Sequence, residues 1–283
     1  MSPDRTTAES GPAAENDVPT PYAAYLRTEV LHTLQERVSE APAEMAFLVN
    51  VQVMELYFGL IVHELRGVQR DLRENRLVEA NQGLYRTVTH FRALNGTWTS
   101  LSWMTPDDFA PIKTGITESF GRSTSLQSWM YRHLVFLLGI KSADALEPLD
   151  SMPGRQRRLR AALAEPSVYD DVLAVLHRRG LPVPATHLRR DLTEPYTPHP
   201  DVEQAWLRVY ADRDPGNELY RLGELLADIA DEFTTWKYRH LMSVRRTVGD
   251  RPGFYGTSGT AWLAPNLDEL PYPELWSARS TLG

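Results

Sequence analysis

The chain has no cysteine among its 283 residues. That absence excludes disulfides, iron–sulfur clusters, thiolate-ligated haem and covalently attached c-type haem, all of which need a cysteine thiol. Basic residues are also in deficit, because 30 lysines and arginines face 37 aspartates and glutamates and leave a net charge of −7. A negatively charged protein disfavours a nucleic-acid backbone as a partner.

A long apolar run and a targeting segment are also lacking. No stretch of about 18 consecutive apolar residues occurs, so we expect no membrane-spanning helix. The first twenty residues are small, polar and acidic, without the basic and apolar parts of a signal peptide. We therefore expect a disordered tail over 1–20, a single domain over 21–283 and a cytoplasmic protein.

Helical periodicity dominates what the sequence does contain. Apolar residues recur at spacings of three and four, and no segment shows the sustained period-two alternation of a half-buried strand. The pattern predicts an all-α fold with helices over 44–74, 77–103, 126–138, 155–164, 167–179, 201–210 and 218–248. The wide apolar face of the first long helix predicts that it is well buried. The polar stretch 114–125 is predicted to be a loop, and the tail after 249 to be irregular but ordered.

One of the eight histidines lies on the inward stripe of a long helix. His240 follows Trp236 by four residues and precedes Val244 by four, so its side chain should point inward with them. An inward histidine is more often a hydrogen-bonded core residue than a ligand, and periodicity leaves both interpretations open. His90 lies at the flank of another apolar face. No HExxH motif occurs, and the glycine cluster at 253–259 lacks the preceding strand of a phosphate-binding loop.

Several local strings, taken together, resemble the tryptophan 2,3-dioxygenase superfamily of haem-dependent oxygenases. The family's C-terminal signature reads W-R-x-R-H, V-x-R-x-I-G, GTGGSSG and F-P-E-L-W. It is matched in order by WKYRH at 236–240, VRRTVG at 244–249, GFYGTSG at 253–259 and PELW at 273–276. Upstream matches include YAAYL at 22–26, EMAF at 44–47, FLLG at 136–139, VYD at 168–170 and EPY at 194–196.

The resemblance implies a homotetramer or homodimer that binds haem b and acts on an aromatic amino acid with dioxygen or hydrogen peroxide. By matching position, His240 would be the proximal iron ligand, and Phe47 and Trp98 would lie beside the haem. In the family an N-terminal segment completes the neighbouring subunit's pocket. Its matching residues here are Tyr22, Tyr25 and Leu26.

Four departures from the family pattern fall on residues that hold the substrate. Val51 replaces the distal histidine and cannot hydrogen-bond an indole N–H or an iron-bound oxygen. Lys113 aligns with the arginine that binds the substrate carboxylate, and it keeps the charge without the bidentate fork. Extra residues follow at 117–120, and Phe254 takes the place of the threonine in the glycine-rich loop.

Retained haem contacts beside changed substrate contacts predict an oxygenase with redirected chemistry. We expect monooxygenation of tryptophan or a substituted tryptophan to a 2-oxindole, in secondary metabolism. Phe109 would join the ring wall, and His90, Thr124 or Ser125 would supply the distal hydrogen bond that Val51 cannot. The alternatives are a peroxide-dependent tyrosine 3-hydroxylase with His90 as its distal group, an ordinary tryptophan 2,3-dioxygenase, and a non-catalytic haem binder.

Overall fold

The computed structural model describes residues 19–121, 128–149, 153–249, 251 and 259–281. The chain divides into two compact units, 1–36 and 37–283; the predicted limits of the domain, 21–283, stay a prediction. In the first unit lie two short helices, α1 (Pro21–Leu26) and α2 (Thr28–Leu31). The Thr20 hydroxyl caps α1 by accepting a hydrogen bond from the backbone N–H of Ala23 at 3.2 Å.

Three long helices form the centre of the second unit. They are α3 (Glu44–Arg73), α4 (Leu77–Ser100) and α11 (Glu218–Thr247). The short 74–76 connection brings α4 back along α3, and α11 packs along the other side of α4. Their fully buried side chains, such as Leu65, Leu84, Phe91 and Leu226, repeat at helical spacing and build the core.

Shorter helices surround these three. They are α5 (Pro106–Phe120), α6 (Trp129–Leu137), α7 (Pro153–Ala164), α8 (Val168–Arg178), α9 (Ala185–Leu188), α10 (Pro200–Ala211), α12 (Gly259–Leu263) and α13 (Pro273–Thr281). Two 3₁₀ turns, Ala143–Leu149 and Pro265–Leu267, link some of them. Within the described ranges there is no strand, so the all-α prediction is confirmed.

Helix α5 corrects one expectation, because the stretch from 114 was predicted to be a loop and is helical as far as Phe120. A capping box begins the helix: the Thr105 hydroxyl accepts from the Asp108 N–H, and the Asp108 carboxylate accepts from the Thr105 N–H at 2.8 Å. Pro106 occupies the first helical position, where its missing N–H costs nothing. These start signals outweigh the polar composition of the second half.

The N-terminal half of α3 is the second correction. This helix was predicted to be well buried, yet Leu56 is 65% exposed and Met45, Val49 and Leu60 are exposed too. These four residues lie along one side of the helix, which we call the outer stripe. By length and composition α3 is also the one helix in the described ranges that would pass for a membrane span; a core helix passes the same test, so this is weak evidence. Its inner face packs against α4, α6 and α8.

A buried carboxylate fixes the C-terminal helix α13, which lies in the tail predicted to be irregular. Glu274 accepts hydrogen bonds from the Tyr169 hydroxyl at 2.9 Å, the Tyr196 hydroxyl at 2.6 Å and the His199 N–H at 2.9 Å. The Trp206 indole N–H donates to the Tyr169 hydroxyl at 3.0 Å. The glutamate of the PELW string therefore joins α8, α10 and the loop before α10 to α13.

A second polar cluster joins α3 to α6 and α8. Arg66 pairs with Glu165 and contacts the His133 ring, with 3.1 Å between Arg66 Nη2 and His133 Nε2. Two turns further along α3, Arg73 donates two hydrogen bonds from its guanidinium to Asp171, at 2.8 and 2.9 Å. These side chains replace water as hydrogen-bond partners where the three helices meet.

Candidate functional site

The site is built around His240, in the last two turns of α11. The Asn217 side chain caps the start of this helix by accepting from the backbone N–H groups of Leu219 and Tyr220. Trp236 and His240 lie one turn apart on the inner face of this helix, and their ring centroids are 5.2 Å apart. From α4, Trp98 stacks on the imidazole at 5.5 Å with an interplanar angle of 16°. His240 is thus enclosed by two indoles.

The electrostatics of His240 favour a neutral ring. Burial lowers its pKa to about 4, so the imidazole is uncharged at neutral pH. Throughout the part of the chain that the structure describes, no group hydrogen-bonds to either of its nitrogens. The indole N–H groups of Trp98 and Trp236 are buried and likewise lack an acceptor. Although the ring lies deep among protein atoms, part of its surface remains accessible, as does part of Trp98.

These features fit a haem whose iron is held by His240. A metal ligand must be a neutral imidazole with a free nitrogen, and His240 is both. No cluster of three or more potential ligand residues occurs in the described ranges. Haem iron would need a single imidazole from the protein, which His240 would supply. His240 would hold the haem through the accessible part of its ring.

An apolar pair of rings joins α3 and α5, the helices that carry the predicted substrate contacts. Phe47 on α3 meets Phe109 on α5 edge to face, with ring centroids 5.5 Å apart. Val51 lies one turn after Phe47 on the same face of α3. Its neighbour Asn50 cannot turn toward the site, because its Nδ2 donates to the Ala46 carbonyl at 2.8 Å and its Oδ1 accepts from the Ser100 hydroxyl.

Lys113 lies one helical turn after Phe109 on α5 and is half-buried. Residues four apart on a helix share a side, so the ammonium and the Phe109 ring belong to the same face. The Thr117 hydroxyl donates to the Lys113 carbonyl at 2.8 Å, within the same helix. Lys113 therefore places a cation on the helix face that carries Phe109, and its predicted contact with a substrate carboxylate stays a prediction.

The structure places the other predicted site residues elsewhere or does not describe them. His90 lies eight residues before Trp98, about 12 Å along α4. Its Nε2 is 4.0 Å from a carboxylate oxygen of Glu64. Its distal role stays a prediction. Thr124, Ser125 and Phe254 lie outside the described residues. Tyr22, Tyr25 and Leu26 belong to the first compact unit and are exposed, with Tyr25 at 86%.

Two aromatic residues at the site were missed in the sequence. The ring of Tyr131, on α6, lies 4.8 Å from that of Trp236, and Phe58, on α3, lies 5.4 Å from Trp236. Phe58 belongs to the same periodic face as Phe47 and Val51, which could have identified it. No such signal existed for Tyr131, because periodicity does not reveal which helix packs on which.

A half-buried carboxylate, Glu55, lies one turn after Val51 and was also overlooked. Burial raises its pKa, while a hydrogen bond from Ser128 and the charge of Arg155 act in the opposite direction. Ser128 is the N-cap of α6, where its hydroxyl accepts from the Tyr131 N–H at 2.8 Å. Glu55 therefore links α3 to the start of the helix that carries Tyr131.

Comparison with known proteins identifies the family. The sequence matches the family model described as Tryptophan 2,3-dioxygenase over residues 7–150 and 158–282. A protein of a Polaromonas species named tryptophan 2,3-dioxygenase is 38% identical over 261 residues, covering 92% of this chain and 87% of that protein. One of Bordetella pertussis with the same name is 37% identical, covering 92% and 90%. The chain belongs to the tryptophan 2,3-dioxygenase family and is a haem b-dependent oxidoreductase that acts on an aromatic amino acid.

Proposed function

We propose that this protein inserts one oxygen atom into the indole ring of tryptophan or a substituted tryptophan and forms a 2-oxindole for secondary metabolism. The observation that carries the proposal is the apolar distal wall around Val51. In the family pattern that this sequence resembles, a histidine occupies this position. The Val51 side chain offers neither a hydrogen-bond donor nor an acceptor. Asn50, the adjacent amide, is already hydrogen-bonded to Ala46 and Ser100.

The chain's own residues hold and orient the substrate. Haem, when bound through His240, supplies the activation of dioxygen or peroxide. Lys113 pairs with the substrate carboxylate, and Phe47 and Phe109 enclose the aromatic ring and exclude water. Because no imidazole engages the indole N–H, ring position is set by shape and by the carboxylate contact. A wall without hydrogen bonds tolerates a substituted ring and gives up control over a second oxygen atom.

The proposed assembly is a homotetramer in which a neighbouring subunit helps to close the pocket. The outer stripe of α3 exposes four large apolar side chains on the back of the helix that carries Phe47 and Val51. Apolar stripes of this length are usually covered by a partner. Tyr22, Tyr25 and Leu26 expose further apolar surface that a neighbour's pocket would bury.

A tyrosine 3-hydroxylase would need His90 as the distal group. In the structure that imidazole faces Glu64, on the seam between α3 and α4, and Glu64 also binds Arg86 at 2.8 Å. No observed contact brings His90 toward Phe47, Trp98 or His240. We therefore rank indole oxygenation above tyrosine hydroxylation.

Mass spectrometry of the products tests the proposal. Haem-loaded protein is incubated with tryptophan, ring- and side-chain-methylated tryptophans and tyrosine, with either dioxygen and reductant or hydrogen peroxide. We expect a gain of one oxygen atom on an indole substrate. N-formylkynurenine as the main product would contradict the proposal, and a hydroxylated tyrosine would support the alternative.

Two valine variants sharpen this test. Val51→His should move the products toward N-formylkynurenine, because it restores an imidazole at the distal wall. Val53→His, two residues further along α3 and away from that face, is the matched control and should leave the product distribution unchanged. If both variants gave the same products, Val51 would not determine which product forms.

A further inference from the structure

A chain of aromatic rings leads away from His240 into the protein. The Trp236 ring lies 5.2 Å from the imidazole, and the Tyr131 ring lies 4.8 Å beyond it, between centroids. The other rings around Tyr131 and Trp236 include those of Phe58 at 5.5 and 5.4 Å and of Phe233 at 6.3 Å from Tyr131. Neither Trp236 nor Tyr131 has a role in holding the substrate as described above.

These rings differ in how easily they lose an electron. Indole and phenol side chains are oxidised far more readily than phenylalanine. Tyr131 and Trp236 are therefore the oxidisable pair that leads away from the imidazole, while a third oxidisable ring, Trp98, lies 5.8 Å from Trp236 on the His240 side. The Trp236 N–H is buried and has no acceptor among the described residues. When this indole loses an electron it therefore keeps its proton, and the charge is short-lived. A phenol, in contrast, gives up its proton together with the electron.

The relay needs a base to receive that proton, and Glu269 is a carboxylate whose charge acts on Tyr131. The Glu269 side chain is exposed to solvent. Lys237 holds this segment against α11, because its Nζ donates to the carbonyls of Glu269 at 2.7 Å and Asn266 at 2.5 Å. The same ammonium lies 5.1 Å from the centroid of the Phe233 ring.

We propose that Trp236 and Tyr131 form an electron relay that reduces the haem when peroxide has oxidised it and no aromatic substrate is bound. Hydrogen peroxide takes two electrons from the haem group and two protons and becomes two water molecules. Trp236 returns one electron to the haem, and Tyr131 then reduces Trp236 and passes its phenolic proton to Glu269. The second electron comes from a second turnover of the relay, after a thiol or ascorbate in the medium has reduced the Tyr131 radical.

This relay protects the porphyrin from oxidation, because the electrons come finally from the thiol or ascorbate in the medium. It rests on the haem being held by His240, as in the proposed function, and is independent of which product forms from the indole. Trp236 and Tyr131 lie on α11 and α6, whereas the Phe47 and Phe109 wall is formed by α3 and α5.

Rapid-freeze electron paramagnetic resonance of the ferric haem protein mixed with hydrogen peroxide, without substrate, tests the relay. We expect a tyrosine radical whose hyperfine pattern changes when the protein is made with ring-deuterated tyrosine. Tyr131→Phe should abolish the signal and speed the bleaching of the Soret band. The control is Tyr220→Phe, which changes an exposed tyrosine on α11, the helix that carries Trp236. This variant should keep the signal.

Glu269→Gln should delay the appearance of the signal, since the carboxylate that takes the proton is gone. A tyrosine signal of unchanged size in Tyr131→Phe would overturn the proposal. Should that variant fold poorly, a nitroso spin trap added to the wild-type protein provides a second measurement. Peptide mapping must then find the adduct on Tyr131, and an adduct confined to other tyrosines would refute the relay. Product analysis with an indole substrate reports separately on the proposed function.

Discussion

At the scale of single residues, the site is marked by hydrogen bonds that are not made. A buried polar group without a partner costs roughly 1–3 kcal/mol, so proteins seldom leave several together. Here the indole N–H groups of Trp98 and Trp236 are buried without a partner among the described residues, and both rings contact the His240 imidazole. An iron–nitrogen bond would engage the imidazole, so these unmet bonds support the proposal that haem binds beside His240.

His240→Ala should abolish haem binding, because it removes the axial ligand. The purified variant, loaded with haem, should lose the histidine-ligated Soret band, and added imidazole should restore it in part. His63→Ala, an exposed histidine on α3, is the control and should bind haem as the wild type does. Retention of the same band by His240→Ala would show that another residue holds the iron.

Lys113→Ala should raise the substrate concentration needed for half-maximal rate by at least about tenfold, since a charged hydrogen bond contributes roughly 1.5–3 kcal/mol. Steady-state kinetics on the indole substrate measures this. Lys113→Arg keeps the charge and should recover most of the loss. An unaltered half-saturation concentration in Lys113→Ala would mean that the carboxylate is held by another group.

At the scale of helices, α5 matters because it carries both Phe109 and Lys113. Its capping box at Thr105 and Asp108 satisfies backbone N–H groups at its start, and burial of Phe109 and Ile112 secures the rest. Pro111 in its second turn removes one backbone donor, which makes the cap more important. The geometry of the substrate contacts therefore depends on an N-cap outside the pocket.

Thr105→Ala should lower the free energy of unfolding by about 1 kcal/mol, the usual cost of losing a side-chain N-cap. Denaturant titration measures this free energy. Steady-state kinetics and haem titration of the variant should show that substrate binding is weakened more than haem binding. Thr114→Ala, an exposed threonine on the same helix, should change stability by less than about 0.5 kcal/mol. Equal effects of the two substitutions would argue against the cap.

His133, on α6, should make stability depend on pH. Burial, followed by the nearby Arg66 charge, lowers its pKa, while Glu165 acts in the opposite direction. Because the unfolded ring binds a proton more readily than the folded one, stability should fall as pH drops below the ordinary value of about 6.5. Thermal unfolding between about pH 7 and pH 5 should show a smaller loss in His133→Gln than in the wild type or in His63→Gln.

The helices could be predicted from the sequence where periodicity was strong. The bounds of α3, α4, α8, α10 and α11 fall close to the predicted ranges, because amphipathic spacing and helix-start residues agree there. Helix α5 was missed in part, since its second half is polar and its start signal alone identifies it. The placing of Tyr131 against Trp236 could not be predicted, because contacts between distant helices leave no local pattern.

At the scale of the whole molecule, the outer stripe of α3 sets the exposed apolar surface. It lies on the back of the helix that forms part of the site, and its side chains are those expected in a subunit contact. The sequence alone predicted that α3 is well buried. A sequence shows how wide an apolar helix face is, but it does not show whether the same chain or a second copy covers that face.

Leu56→Glu should weaken self-association, because it places a charge in the middle of the outer stripe. Light scattering after size-exclusion chromatography should give a smaller mass than for the wild type, which we expect to be a tetramer. Val78→Glu, on an exposed position of α4, is the control and should leave the mass unchanged. A wild-type monomer, or an unaffected mass in Leu56→Glu, would contradict the proposed interface.

The carboxylate of Glu274 has a kinetic consequence. Its three donors precede it by 105, 78 and 75 residues along the chain. Contacts between such distant residues close large loops and form slowly. These hydrogen bonds can form only after α13 has packed against the rest of the protein. The junction should therefore be among the last parts of the protein to become native during refolding.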